Sequence, residues 1–410
     1  MKINWIKFFA GFVVISSLGF LFNNCSSGFQ ANSAPSASLL QGFQTVNSPA
    51  NSISVDVGHC GPNGYINEPC VSVTICTPGT QQCQTVPNIL LDTGSYGLRI
   101  FSSAITVGLT QMLDGSGKNI AQCAQFGTGS TWGPVKSADV KLGTEPTINI
   151  PIQVIDTTYA TVPTDCTGLD TSPDTAGWNG ILGVGNLTYD CGADCVNTQN
   201  NRIYFSCSGA TCTSTAIPLS RQLINPIAAL PIDNNGLILN LPSVTSTGLA
   251  STSGTVTFGV GTRSNNGSTA KTILYLDSAG DFSTQFNGKS YSTSFLDSGS
   301  NGIFFPGPTG LADCATNTLV TGFYCPPSPT SFSAALVASG STTQKPASFE
   351  VRDANQLVNM YGLTSGAFNN LGGSSTTWFD WGLPFFFGKS VSVILENKSS
   401  PIGAGPIVAF

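Results

Sequence analysis

Apolar residues in this chain come in short runs bounded by Gly, Asn, Ser and Thr, a pattern that predicts short antiparallel strands joined by turns. Leu237 to Leu241 (LILNL) is one such run, and the TVTF of GTVTFGVG soon after it is another. Two runs end on an acid. Ile89 to Leu91 leads into Asp92 within ILLDTGSYGLRIF, and Phe295 to Leu296 leads into Asp297 within SFLDSGSNGIFFP; a second apolar run follows each acid. Helices should be few and short, with Ser348 to Gly362 (SFEVRDANQLVNMYG) the best candidate. The fold class expected is all-β.

Composition agrees with that expectation. Only 9% of the 410 residues are charged, and the helix formers Glu and Lys are scarce. The net charge is −6 and no basic run is present to neutralise phosphates, which argues against a nucleic-acid partner.

The N-terminus changes the picture of where the chain works. Lys2 and Lys7 precede an apolar stretch from Phe8 to Phe22, too short for a comfortable membrane span and suited to a signal peptide over 1–24. The stretch resembles a bacterial lipoprotein signal, in which Cys25 would carry the lipid, although Asn24 stands where a small Gly or Ala is usual. The alternative is an ordinary cleaved signal with Cys25 unmodified. Residues 25–51 form a Ser/Ala/Pro-containing tether. The expected location is outside the cytoplasm, either anchored to the cell envelope through Cys25 or secreted or periplasmic. Membrane contact would come only through that anchor.

The chain has thirteen cysteines, and setting Cys25 aside leaves an even number downstream of the export signal, where disulfides form and persist. They cluster as Cys60, Cys70, Cys76 and Cys83, then Cys191, Cys195, Cys207 and Cys212, then Cys314 and Cys325, with Cys123 and Cys166 left over as a further pair. A zinc site is the rival explanation. It is disfavoured by a single histidine and by the lack of paired C-x-x-C motifs, so no metal and no cofactor are expected. That histidine, His59, lies in the loop GHCGPNG beside a cysteine, and no G-x-S-x-G elbow occurs, so Ser-His-Asp and Cys-His chemistry are unpromising. Any catalysis must fall to carboxylates.

The two acid-bearing stretches repeat each other. Leu91, Asp92, Gly94, Ser95 and Gly97 align with Leu296, Asp297, Gly299, Ser300 and Gly302, and Thr93 aligns with Ser298. A later apolar-apolar-Gly turn follows each acid at a similar interval, Gly183 in NGILGVG and Gly382 in DWGLPFF. With these features the chain resembles the pepsin-like aspartic peptidases. Gln125 to Gly143 is similar to that family's flap hairpin, LILNL and GTVTFGVGTRSNNG to its central strands, and the stretch from Trp381 to Phe410 to its closing hairpin. The chain also resembles a bacterial family of exported proteins described only as a domain of unknown function.

The resemblance implies a bilobal double β-barrel with a central cleft, a first lobe over 52–245 carrying Asp92 and a second over 246–410 carrying Asp297. It implies that Asp92 and Asp297 are catalytic, and that Thr93, Gly94, Ser95, Ser298, Gly299 and Ser300 support them. Thr93 and Ser298 would cross-link the two loops, while Ser95 and Ser300 would orient the carboxylates. Two carboxyls this close cannot both ionise easily and hold one proton between them, as in the aspartic-protease dyad that serves as the standard example. The acid pair would act on a polypeptide, with activity expected in acid and fading toward neutral pH.

Three departures bear on this. The family's flap tyrosine falls on Phe126, which has no hydroxyl, in a flap tip that includes Gly127 and Thr128. Its usual indole partner falls on Arg99, which could stack on Phe126. Asp380 stands in the second apolar-apolar-Gly turn where an apolar residue is usual, either buried against a partner or pointing to solvent. The functional expectation is a monomeric, exported aspartic endopeptidase. The alternatives are a catalytically weak or silent binder of peptides on the same fold, or an unrelated β-rich surface protein.

Overall fold

The computed structural model describes residues 51–410 apart from 59, 128, 316–319 and 363. The signal segment, Cys25, most of the tether, His59 and Thr128 thus lie outside the described residues.

Short strands make up most of the regular structure, because apolar side chains alternate with polar ones or run unbroken only where both faces are covered. In Ser52–Val57, Val55 and Val57 point inward while Asp56 points out. In Cys83–Asp92 the last four residues, Ile89 to Asp92, are all buried, with strands on both sides.

A 16-stranded and a 7-stranded sheet hold nearly all of these strands. In the larger, Pro69–Cys76, Cys83–Asp92, Gly180–Val184, Tyr96–Phe101, Ile148–Ile155 and Ser130–Lys141 are neighbours in that order. Ser130–Lys141 then pairs back onto Pro69–Cys76 through Thr74↔Lys141, closing a barrel-like ring.

The smaller sheet repeats this succession. Phe282–Phe286 lies antiparallel to Lys289–Leu296, which is parallel to Phe379–Trp381; that strand is antiparallel to Ile303–Phe305, itself parallel to Gly372–Ser374. The first five strands of the ring follow the same directions: antiparallel, parallel, antiparallel, parallel. The two acid-bearing strands therefore hold equivalent places in separate sheets.

The larger sheet continues past the ring through Ser52–Val57, Thr252–Phe258, Gly236–Leu241, Lys389–Ile394 and Ile407–Ala409. One hydrophobic core spans both sheets. It is aliphatic around Ile75, Ile89, Leu91 and Leu98, and aromatic around Phe305, Phe349, Phe379 and Trp381, where Phe379 and Trp381 stack at 4.7 Å.

The expected helix over Ser348–Gly362 is only partly formed. Ala354–Tyr361 is helical, capped by the Asp353 side chain, which accepts from Asn355 N at 2.9 Å. Ser348 to Val351 instead ends the strand Gln344–Val351, because Phe349 and Val351 bury their side chains when that strand pairs with Thr330–Val337. No helix among the described residues is long and apolar enough to cross a membrane.

All twelve described cysteines pair: Cys60–Cys70, Cys76–Cys83, Cys123–Cys166, Cys191–Cys195, Cys207–Cys212 and Cys314–Cys325. Six bridges suit an oxidising compartment.

One ion cluster ties distant segments together. Arg263 Nε donates to Asp233 Oδ2 at 2.6 Å and its Nη2 lies 3.2 Å from Glu145 Oε1, and both acid side chains are wholly buried. Removing a cation from two buried carboxyls is costly. Arg263→Met should lower the unfolding free energy by about 3 kcal/mol in urea titration at neutral pH. A loss below about 0.5 kcal/mol, the level of an ordinary surface substitution, would contradict this account of the cluster.

Candidate functional site

The two acids arrive by the same construction. Cys83–Asp92 ends on Asp92, which sits in register with Gly183 of the parallel strand Gly180–Val184. Lys289–Leu296 ends one residue before Asp297, whose amide donates to Trp381 O at 3.2 Å, one residue before Gly382. The apolar-apolar-Gly turns seen in the sequence are thus the parallel neighbours of the acid strands.

Beyond each acid the chain turns and fixes the carboxyl through the same two donors. Gly94 N donates to Asp92 Oδ1 at 2.7 Å and Ser95 Oγ to Asp92 Oδ2 at 2.5 Å. Gly299 N donates to Asp297 Oδ1 at 2.8 Å and Ser300 Oγ to Asp297 Oδ2 at 2.8 Å.

The residues following the acids exchange hydrogen bonds across the sheets. Thr93 Oγ1 donates to Leu296 O at 3.0 Å and accepts from Ser298 N at 2.9 Å; Ser298 Oγ donates to Leu91 O at 2.7 Å and accepts from Thr93 N at 3.1 Å. Four bonds related by an approximate two-fold bring the loops together, and the two carboxyls come within hydrogen-bond reach of each other.

Glycine at 94 and 299 has a reason beyond the bend expected from sequence. A Cβ on Gly94 would lie 2.6 Å from Asp297 Cγ, and one on Gly299 would lie 2.8 Å from Asp92 Cγ, so each loop makes room for the opposite acid. Gly94 is exposed and Asp297 partly exposed, so solvent reaches the pair.

The electrostatics follow from crowding. Burial, then the Asp92 charge, then the hydrogen bond with Asp92 push Asp297 up to about 8, against the stabilising bonds from Ser300 and Gly299. One proton therefore stays on the pair well above the usual carboxylate range.

Asp380 is 3% exposed on Phe379–Trp381. Burial and then the charge of Asp297 hold it well above its ordinary value, and its Oδ1 has no hydrogen-bond partner. Of the two placements open for Asp380, burial is the one found, and among the described residues no ion pair is made to it.

The hairpin expected as a flap is formed by Asn119–Gln125 and Ser130–Lys141, with Phe126 N bonded to Gly129 O at 2.8 Å across its tip. Gly127 is exposed at that tip. Arg99 is buried and its guanidinium lies 5.5 Å from the Phe126 ring centre, while Nη2 reaches Asp190 at 3.1 Å and Nη1 donates to Tyr96 O at 2.8 Å. Asp190 also accepts from Gln122 Nε2 and, at 2.7 Å, from Tyr204 Oη. This polar knot under the hairpin is invisible in the sequence, because its members are far apart along the chain.

Sequence reasoning also missed Tyr65. It sought a tyrosine only on the hairpin, and Tyr65 belongs to the loop closed by Cys60–Cys70. Its ring packs in the cluster of Leu90, Phe101, Trp178 and Ile181 that also receives Phe126. Burial and then the charges of Glu68, Asp92 and Asp297 raise its phenol well above the ordinary value. Asp170, pushed up to about 6 by burial, lies against Gly129 in the hairpin turn.

Among the described residues no group of three metal-binding side chains occurs. The model of the family "Protein of unknown function (DUF3443)" matches residues 46–410, and the chain belongs to that family. No curated protein matches it.

Two outcomes follow from this arrangement. Thr93→Val and Ser298→Ala should each cost about 1–3 kcal/mol in urea unfolding, since each strands a buried backbone partner. The double variant should lose less than the sum, because the bonds are shared; additivity within about 0.3 kcal/mol would show the loops to be independent.

The second concerns Glu68, wholly buried, with Oε1 unpaired and Oε2 accepting from Tyr65 N. Burial lifts it to about 8, so the folded chain binds a proton that the unfolded chain releases near 4. Its contribution is present in acid and is lost as pH rises from about 4 to about 8. Thermal unfolding should show stability falling over that range, and Glu68→Gln should flatten the fall; an unchanged slope in the variant would contradict it.

Proposed function

We propose that this protein is an exported aspartic endopeptidase of pepsin-like architecture, in which Asp92 and Asp297 activate water for peptide-bond hydrolysis. The observation that carries this reading is the reciprocal set of bonds by Thr93 and Ser298 beneath two carboxyls brought against each other's loops, where a Cβ on Gly94 or Gly299 would meet the opposite acid. It is supported by the matched strand order around each acid, which fits two lobes, 52–245 and 246–410, facing a cleft.

In this mechanism the ionised member of the pair takes a proton from water as the oxygen attacks the scissile carbonyl carbon. The protonated member gives its proton to the carbonyl oxygen, forming a tetrahedral diol. On collapse of the diol the pair gives its proton to the leaving nitrogen as the C–N bond breaks, while a diol hydroxyl gives its proton to the ionised member as the carbonyl re-forms, so the pair again holds one proton. No metal or cofactor takes part. The Asn119–Gln125/Ser130–Lys141 hairpin, with Phe126, Gly127 and Thr128 at its tip, would close over an extended polypeptide. Arg99 would act from beneath, holding Phe126 in place.

The protein is further taken to be a monomer delivered through its signal segment and held at the cell envelope by a lipid on Cys25. The second reading, a silent peptide binder on the same fold, is favoured by one feature: Phe126 stands where a hydroxyl would be expected.

Purified, fully oxidised protein should cleave an unfolded protein substrate, and a statine-type mimic of the diol should block it. Asp92→Asn or Asp297→Asn should lower kcat by at least about 1000-fold with the fold intact by circular dichroism, since the amide cannot share the proton. Activity needs the shared proton, so it should persist while Asp297 keeps it and fall as pH rises through about 8. That places the alkaline limb higher than the dyad motif alone suggests. Binding of the statine peptide with no cleavage at any pH would favour the silent binder, and neither binding nor cleavage would remove both readings.

A further inference from the structure

The loop closed by Cys60–Cys70 takes no part in the hydrolytic scheme, yet it is bonded to the stretch that carries Asp297. Asn67 is wholly buried. Its Nδ2 donates to Asn301 O and to Phe368 O, each at 2.8 Å, and its Oδ1 accepts from Phe368 N at 2.6 Å. Asn301 follows directly on Ser300, whose hydroxyl holds the Asp297 carboxyl. Ile66 is 4% exposed and packs with Leu357, Phe368 and Leu371.

Tyr65, one residue earlier, packs the other way. Side chains alternate along a strand, so Leu90 shares with Asp92 one face of Cys83–Asp92, and its register partner Ile181 shares a face with Gly183. Tyr65 packs on the cluster of Leu90, Phe101, Trp178 and Ile181, and so does Phe126 from the tip of the hairpin. The apolar floor beside Asp92 and under the hairpin is therefore already covered, by a ring that belongs to a distant loop. Tyr65 is half-buried, so part of it reaches solvent.

The ring has little freedom to leave. Tyr65 N donates to Glu68 Oε2 at 3.1 Å, and the ring lies so close to Gly177 that a Cβ there would be 2.9 Å from Tyr65 Cδ1. With Ile66 and Asn67 both held by the Asp297 side, swinging the loop away would draw a buried apolar side chain into water and strip buried polar atoms of their partners. Tyr65 is thus a fixed wall.

We propose that Tyr65 sets the size limit for the substrate side chain bound under the hairpin beside Asp92, so that one of the two positions flanking the scissile bond accepts only a small residue such as Gly, Ala or Ser. A Leu or Phe there would compete with the Tyr65 ring for the same apolar surface, and overfilling a packed site is unfavourable. The inference rests on the peptidase reading and deepens it by naming the substrate class: a polypeptide with a small side chain next to the bond that is cut.

The test uses the mature, fully oxidised protein and hydroxyethylene mimics of the tetrahedral diol that carry methyl or benzyl at either flanking position, with binding measured by calorimetry. In the unsubstituted protein benzyl should bind about 100-fold more weakly than methyl at one position, the scale on which an apolar pocket rejects excess bulk. Tyr65→Ala should bring the two within about threefold there and leave the other position as it was. Tyr65→Phe, which keeps the ring, should keep the penalty. In kinetics kcat/KM for peptides with Phe in place of Ala at that position should follow the same order.

Equal binding of methyl and benzyl at both positions in the unsubstituted protein, or a penalty that survives Tyr65→Ala, would overturn the proposal. Tyr65→Val serves in the same way should Tyr65→Ala fail to fold. Mimics that bind with the wrong size pattern remove this inference alone; mimics that bind neither the unsubstituted protein nor its variants remove the peptidase reading and this inference with it.

Discussion

Four hydrogen bonds between the loops after Leu91 and Leu296 set the rest of the site. Thr93 and Ser298 each give a proton to the carbonyl two residues before them on the other chain segment and accept one from the other's amide. Because these groups are buried, breaking one bond strands a polar atom in low dielectric, and the loops are held at one separation. That separation decides the chemistry. It brings two carboxyls close enough to share a proton, and it is why Gly94 and Gly299 can carry no side chain.

The remainder of the molecule supports that contact with little charge. The barrel-like ring around Asp92 is filled by branched aliphatic residues and the sheet around Asp297 by stacked aromatics, so each acid strand ends against a packed wall. Within so apolar a frame the few acids stand out. Glu68, Asp170, Asp297 and Asp380 are all lifted by burial, while the buried Arg99 and the partly exposed Arg263 are paired elsewhere. A site of this kind retains protons at pH values where isolated carboxyls have lost them.

Much of this was legible in the sequence because the acid motif is local and occurs twice. D-T-G-S and D-S-G-S carry the acid, the cross-linking hydroxyl, the glycine and the orienting serine within four residues, and the structure puts those residues together. The apolar-apolar-Gly turns were legible for the same reason, and so was the all-β character, which follows from short apolar runs and few helix formers. What escaped was long-range. Nothing near Tyr65 in the chain hints that its ring packs on the cluster that also receives Phe126, and the Arg99–Asp190–Gln122–Tyr204 knot joins residues spread over a hundred positions. The helix boundary escaped because tertiary pairing of Phe349 with its neighbours outweighed the local preference of Ser348 to Val351.

The central claim is that the Thr93–Ser298 cross-link makes Asp92 and Asp297 a single acid holding one proton. Neutron diffraction from a deuterated crystal near pH 5, between the two ionisations that a coupled carboxyl pair shows, tests it most directly. The account predicts one deuteron between the two carboxyls, with Ser95 and Ser300 donating to the outer oxygens. A deuteron on each carboxyl, none on either, or carboxyls separated beyond hydrogen-bond reach would contradict it.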